Sequence, residues 1–180
     1  MAEVRIIGGR WKRSKLPVLD KPGLRPTPDR VRETLFNWLG QDLTGWRVLD
    51  AFAGSGALGF EAASRGASEV QVLERDAQLA RQLVQNKARL QGSEALRIDS
   101  ADALAWMARC APDRFELVLL DPPFGADLFE PALAAALRVV VPQGFIYLEA
   151  DREMGVPAGL ESWRSARAGA VHYAVLRRLG

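Results

Sequence analysis

From Trp46 onward the chain alternates short apolar runs with longer stretches whose apolar positions recur at helical spacing: "RVLDAF" then "ALGFEAASRG", "EVQVLE" then "DAQLARQLVQNKARL", "ALRID" then "ADALAWMARC", "FELVLLD" then "DLFEPALAAALRVV". A brief apolar run followed by a loop and an amphipathic stretch, repeated in this way, predicts βαβ units and a parallel sheet. "GFIYLEA" predicts a fifth strand, and "SWRSARAGAVHYAVLRRLG" two extended pieces without an intervening helix, as in an antiparallel closing pair. Ahead of the sheet, apolar and basic residues around Gly8-Gly9, with "KLPV" beyond, predict a small hairpin. Pro17, Pro22, Pro26 and Pro28 then space the chain out. Thr27 reads as an N-cap, Pro28 as the first helical residue, and "DRVRETLFNWLG" as a helix closed by Gly40, with Val31, Leu35 and Trp38 on one face. The predicted fold class is α/β: a doubly wound, Rossmann-like sheet, mostly parallel with a C-terminal antiparallel hairpin, plus a small basic N-terminal extension. The expected division is an arm over residues 1–24 and a main domain over 25–180, with a lid helix in 25–45 and the sheet in 46–180.

Composition narrows this picture. A chain of 180 residues with 48% hydrophobic content buries one substantial core. The single cysteine, Cys110, excludes an internal disulfide and any multi-cysteine zinc site, and the single histidine, His172, argues against a histidine-ligated metal centre. The expectation is a reduced, cytoplasmic, metal-free protein. "MAEVRIIGGRWKR" lacks an apolar h-region, and no segment approaches the ~20 continuous apolar residues of a membrane span. Net charge is only +2, but residues 1–47 hold ten Lys/Arg against five Asp/Glu and the remainder fourteen against seventeen. The basic excess surrounds Trp11 in "RIIGGRWKRSK", a mixture of cations and an aromatic ring that suits phosphate contact and base stacking. A solvated basic strand pair is the competing account of the same residues.

Ligands of doubly wound sheets lie at the carboxyl ends of the strands, so the residues where apolar runs stop carry the candidate chemistry. The first run stops at Asp50, and Gly54, Gly56 and Gly59 of "AFAGSGALGFEA" then match G-x-G-x-x-G. Such a loop lets a nucleotide approach a helix N-terminus, and Glu74, which ends the second run, fits the acidic residue that holds a ribose. Asp50 sits at the loop's mouth, where a carboxylate repels a pyrophosphate but suits a ligand bearing a sulfonium and an α-ammonium group. That favours S-adenosylmethionine over NAD. Asp102, after the third run, fits either an acceptor for an adenine amine or a helix N-cap.

"DPPFG" closes the fourth run on the same edge. Consecutive prolines remove two backbone donors and leave an acceptor-rich rim beside the Asp121 carboxylate, suited to an NH₂ group. Asp121 and the Pro122 carbonyl would each accept one proton of an exocyclic base amine, Pro123 would complete the rim, and Phe124 would stack on the base. Orienting that nitrogen toward a methyl group is proximity catalysis, worth up to ~7 to 11 kcal/mol. Adenine N6, cytosine N4 and guanine N2 all fit such a rim. Cys110 and His172 read as packing residues, as do Trp38, Trp46, Trp106 and Trp163; Arg177 and Arg178 read as a solvated strand end, and Glu149 in "YLEAD", which ends the fifth strand, as edge solvation ahead of a role at the mouth. Two other functions share these features. A nicotinamide-dependent oxidoreductase lacks a convincing hydride-site acid or base in this chain, and a non-catalytic RNA-binding assembly factor would not need its motifs intact.

"VLDAFAGSGALGFEA", "VLERD" and "DPPF" resemble motifs I, II and IV of class I S-adenosylmethionine-dependent methyltransferases acting on amino groups. With "RIIGGRWKRSKLPV" and "GLRPTPDRVRETLFNWL", the chain is similar across nearly its whole length to the bacterial 16S rRNA (guanine-N2)-methyltransferase RsmD family. The resemblance implies methylation of one guanine N2 of 16S rRNA, within the 30S subunit or its assembly intermediate; nothing in the sequence demands more than a monomer. It implies a cofactor set of Asp50, Phe52, Ala53, Gly54, Ser55, Gly56, Glu74, Arg75, Asp102 and Ala103, and a catalytic loop of Asp121, Pro122, Pro123 and Phe124. The family's "RPT" and "VRE" segments match Arg25, Pro26, Thr27, Val31, Arg32 and Glu33 near the mouth. The expected RNA contacts are Arg5, Arg10, Trp11, Lys12, Arg13, Lys15, Arg25 and Arg32.

Overall fold

A computed structural model describes residues 2–24, 27–123, 125 and 127–180. The hairpin forms first: β1 (Ala2–Arg5) pairs antiparallel with β2 (Lys15–Val18), from Ala2 opposite Val18 to Arg5 opposite Lys15. Next comes α1 (Asp29–Trp38), followed by the alternation that the hydrophobic pattern predicts: β3 (Arg47–Asp50), α2 (Ala57–Ser64), β4 (Glu69–Glu74), α3 (Ala77–Ala88), β5 (Leu96–Ser100), α4 (Ala103–Arg109), β6 (Phe115–Leu120) and α5 (Phe129–Val139). The chain ends in β7 (Val140–Ala150), β8 (Leu160–Ala168) and β9 (Val171–Arg178).

The seven-stranded sheet has the order β5-β4-β3-β6-β7-β9-β8, parallel from β5 to β7 and antiparallel where β9 joins β7 and β8. The order reverses beside β3, where two crossovers diverge and leave a crevice outside the carboxyl ends of β3 and β6. Alternation along each strand sends Val48, Val70, Val72, Leu117, Leu119 and Tyr147 into a core shared with α1, α2 and α3. Leu49, Leu73, Val118, Leu120, Ile146 and Leu148 face the opposite core with α4 and α5. α2 is buried along its whole length, because the sheet lies on one side and the hairpin loop on the other.

Two local expectations change. Helix α1 begins at Asp29 with Pro28 as its N-cap, so Thr27 does not cap it. β7 starts at Val140, directly after α5, and its pairing with β6 shifts register between Phe115 and Leu117. Pro142 lies in that irregular stretch, as a residue without a ladder donor must. Among the described residues no helix is long and apolar enough to cross a membrane.

Candidate active site

The residues two positions before Asp50, Glu74, Asp121 and Glu149 all belong to the core on the α1–α3 face. By the period of a strand, these carboxylates therefore leave the sheet on one side. All four line a cavity of about 480 Å³ at the carboxyl edge, within the range of small-molecule sites.

The glycine loop forms the floor. The Gly59 N–H donates to Asp50 Oδ2 at 2.9 Å, and a Cβ at Gly59 would sit 2.8 Å from that oxygen, so no larger residue keeps the helix this close to the strand. Burial pushes the Asp50 pKa up to about 7; the Gly59 N–H pulls it down and the charge of Glu74 adds to the rise. Gly56 opens α2 with a left-handed φ of 81°, where a side chain would also strike Leu83. It shapes the turn and is absent from the cavity wall, unlike Phe52, Ala53, Gly54 and Ser55.

Glu74 is held by two backbone donors: the Gly54 N–H gives to Oε1 at 2.9 Å and the Asp76 N–H to Oε2 at 2.7 Å. The carboxylate thus ties the loop to the start of α3, where Asp76 accepts from the N–H groups of Gln78 and Leu79 and pairs with Lys21 at 3.2 Å. Arg75 stands exposed on the rim. Asp102 is the N-cap of α4, accepting from the Ala105 N–H at 2.9 Å, and it also lines the cavity with Ala103. Among the described residues no group of His, Cys, Asp and Glu is gathered as a metal site.

Asp121, Pro122 and Pro123 lie across the cavity from Glu74. Phe124 and Arg25, assigned to base stacking and RNA contact, lie outside the described residues, as does Pro26. Glu149 corrects the expectation of edge solvation: it is 6% exposed, lines the cavity and accepts from the Thr27 hydroxyl at 3.2 Å. β7 is not an edge strand, because β9 pairs along it and Glu149 sits opposite Tyr173. Sequence reasoning missed Lys21, Gly23 and Leu24, which line the cavity together with Thr27, a residue expected near the mouth. The "RPT" match was their available signal.

The hairpin's cations divide into groups. Arg32 is 2% exposed and donates to Glu61 Oε1 at 3.0 Å, to Asp29 at 2.5 Å and to the Arg5 carbonyl at 2.9 Å, so it is a buried brace and not an RNA contact. Glu61 also accepts from Arg65 at 2.9 Å and from the N–H groups of Ile7 and Gly8. Trp11 is 6% exposed, with its indole N–H on the Gln91 carbonyl at 2.7 Å, which removes it as a stacking platform. Arg10 is exposed yet bonded to the Gly92 carbonyl at 2.7 Å, and exposed Arg5 pairs with Asp29 at 3.1 Å. Lys12, Arg13 and Lys15 are exposed. The Arg10–Trp11 turn is fastened to Ser64, the last residue of α2, whereas the glycine loop precedes the first. The basic tip therefore lies about one helix length, ~12 Å at ~1.5 Å per residue, from the cavity end.

Known proteins share this arrangement. A family model described as "Conserved hypothetical protein 95" matches residues 4–177. Ribosomal RNA small subunit methyltransferase D of Escherichia coli (strain K12) is 41% identical over 181 residues, covering 98% of this chain and 90% of that protein. The protein of the same name from Haemophilus influenzae is 44% identical over 155 residues, covering 84% of this chain and 80% of its own. The solved structure of yhhF from Escherichia coli superposes with a TM-score of 0.89 at 40% identity, covering 99% of each chain.

Proposed function

The chain belongs to the ribosomal RNA small subunit methyltransferase D family, and from that premise we propose that it methylates the exocyclic N2 amine of one guanine in 16S rRNA, with S-adenosylmethionine as donor. The substrate is the 30S subunit or its assembly intermediate, met in the cytoplasm by a monomer. The observation that carries the reading is that one cavity joins the Glu74-anchored glycine loop to the Asp121-Pro122-Pro123 rim.

The donor set fits this cofactor. Glu74, fixed by two N–H groups, would present acceptors to ribose hydroxyls, Asp102 on the cavity wall would accept from an adenine amine, and Asp50 would face the ammonium end. Asp50 is the group most changed by such a ligand, since a cation beside it offsets the burial that raises its pKa. When bound, S-adenosylmethionine supplies a methyl group made electrophilic by its sulfonium. Asp121 and the Pro122 carbonyl accept the two N2 protons and aim the nitrogen lone pair along the cavity. As the N–C bond forms and the sulfonium–methyl bond breaks to leave S-adenosylhomocysteine, Asp121 would receive the proton that N2 releases. Asp121 thus supplies orientation and proton acceptance, and positioning is the larger contribution. In this reading the hairpin loop braces α2, residues 21–24 with Thr27 and Pro28 cover the pocket, and α1, expected as a lid helix, packs into the core instead.

The test is transfer of labelled methyl from S-adenosylmethionine to 30S subunits lacking their native methylations, with naked 16S rRNA and duplex DNA in parallel and nucleoside mass spectrometry of the product. N2-methylguanosine in 16S rRNA is the expected product. Label on adenine, on cytosine or only on DNA would overturn the guanine assignment, and no label anywhere would overturn the activity.

A further inference from the structure

An acceptor rim around an amine does not by itself distinguish guanine from adenine or cytosine. We propose that Glu149 makes that distinction, accepting the guanine N1–H while Asp121 accepts the neighbouring amine, with Thr27 holding Glu149 in position. The inference rests on the guanine reading above and names the residue that enforces it.

The geometry begins with register. Leu119 pairs with Tyr147 and Leu120 with Leu148, so Asp121 and Glu149 stand level at the ends of adjacent parallel strands, which run about 4.8 Å apart. Leu119 and Tyr147 lie in the same core, so the two acids leave the sheet on the same face, and both line the cavity. Burial raises the pKa of the Tyr147 hydroxyl most, and the charges of Glu149 and then Asp121 add to the rise, consistent with two acids converging near it.

Strand order gives Glu149 its side of the pocket. The cofactor acceptors sit on β4 and β3, the methyl-accepting rim follows β6, and β7 is the next strand outward. Glu149 is therefore on the side away from Glu74, where the target base enters. The Thr27 hydroxyl donates to Glu149 Oε2, and Arg32 holds the Thr27 carbonyl from inside α1, so the carboxylate is oriented by the segment that roofs the pocket.

The chemistry then selects the base. On the Watson–Crick edge of guanine the N1–H donor lies directly beside the N2 amine, with the O6 acceptor beyond it. Adenine and cytosine place an acceptor nitrogen beside their amines. Two carboxylates at one level form an acceptor-only wall, which matches the guanine pattern and sets oxygen against a nitrogen lone pair for the others. Sites built around a buried hydrogen-bonding group reject analogues lacking the partner by about 10⁴ to 10⁵-fold.

The discriminating experiment uses the full-length protein and 30S particles reconstituted with ligated 16S rRNA carrying either guanine or 2-aminopurine at the target position. 2-Aminopurine keeps the amine and replaces N1–H with a bare acceptor. The wild type is expected to favour guanine by on the order of 10³-fold in kcat/KM. Glu149→Gln presents an NH₂ to N1, and its preference should collapse to within about tenfold of unity, with guanine turnover down about 100-fold and S-adenosylhomocysteine affinity within about twofold of wild type by calorimetry. Thr27→Val, which removes only the orienting hydroxyl, should lower the preference by about 5- to 30-fold. It also provides the readout should the glutamine variant fail to fold. An unchanged preference in a folded variant overturns the proposal, as does an equal loss on both particles, which marks a structural role. A wild type that makes no N2-methylguanosine on the guanine particle overturns the functional reading and this inference together, whereas normal wild-type turnover with intact preference in the variants overturns this inference alone.

Discussion

At the carboxyl edge of the sheet, charged side chains converge: Asp50, Glu74, Asp121 and Glu149 come from neighbouring strands onto one face and line one cavity. At the amino-terminal hairpin, charged side chains disperse: Arg32 turns inward onto Glu61, Arg5 pairs with Asp29, Arg10 is bonded to a loop carbonyl, and Lys12 and Arg13 point to solvent at the far end of α2. The four acids are scattered along the sequence from Asp50 to Glu149, whereas the hairpin's cations crowd into its first few dozen residues. Parallel strands end level with one another, so their terminal residues are brought together by topology. A hairpin loop wrapped on a helix sends successive residues in different directions. Isolated acids at strand ends therefore mark the site, and the dense charge of the hairpin is mainly an anchoring device.

The largest stability effect is expected in the hairpin's anchor. Glu61→Ala leaves Arg32 and Arg65 buried without their shared carboxylate and should cost about 3 to 5 kcal/mol of unfolding free energy, read by denaturant titration. A loss below 1 kcal/mol would break the contrast between anchored and solvated cations.

The pocket makes a comparable statement through pH. The Asp50 carboxyl titrates at about 7 in the folded, ligand-free protein and near 3.9 when unfolded, so between these values the folded state binds more protons. Its contribution is full below pH ~4 and is lost as pH rises toward 7, by up to about 4 kcal/mol at ~1.4 kcal/mol per unit. Asp50→Asn should flatten this fall in a series of melting curves between pH 5 and 8. Identical slopes in variant and wild type would remove Asp50 from the account.

Glu74→Ala should weaken S-adenosylhomocysteine binding by about 1 to 3 kcal/mol in calorimetry, through lost charged hydrogen bonds and a loosened Gly54. Unchanged affinity would count against the ribose role. The smallest effect is expected at the hairpin tip. Replacing Arg10, Lys12 and Arg13 with Gln should leave cofactor binding unaltered and flatten the log–log salt dependence of 30S binding by at most about 2 to 3. An unchanged slope would assign the tip a bracing role alone.

The same contrast explains what was legible in the sequence. Asp50, Glu74 and Asp121 could be found because each closes an apolar run, and the alternation of runs already fixed which strand ends share an edge. Glu149 closes an apolar run too, but edge solvation outweighs a place at the mouth in the sequence because single-sequence patterning does not reveal that β9 lies beside β7. Thr27 carried an N-cap signature, yet the helix starts one residue later and the hydroxyl serves Glu149 instead. Arg32 and Trp11 looked like surface groups because their partners, Glu61, Ser64 and Gln91, are distant in sequence. One clue was present: Glu61 interrupts the otherwise apolar and small "ALGFEAAS", and an acid inside a fully buried helix requires a cation.

The central claim is that Asp121 orients the accepting amine and takes no part in holding the cofactor. Its most direct test is single-turnover methyl transfer to undermethylated 30S subunits by Asp121→Ala, with S-adenosylhomocysteine affinity measured on the same preparation. The account predicts a rate at least about 10³-fold below wild type at an affinity within about threefold of it. A wild-type transfer rate, or a rate loss matched by an equal loss of cofactor affinity, would contradict it.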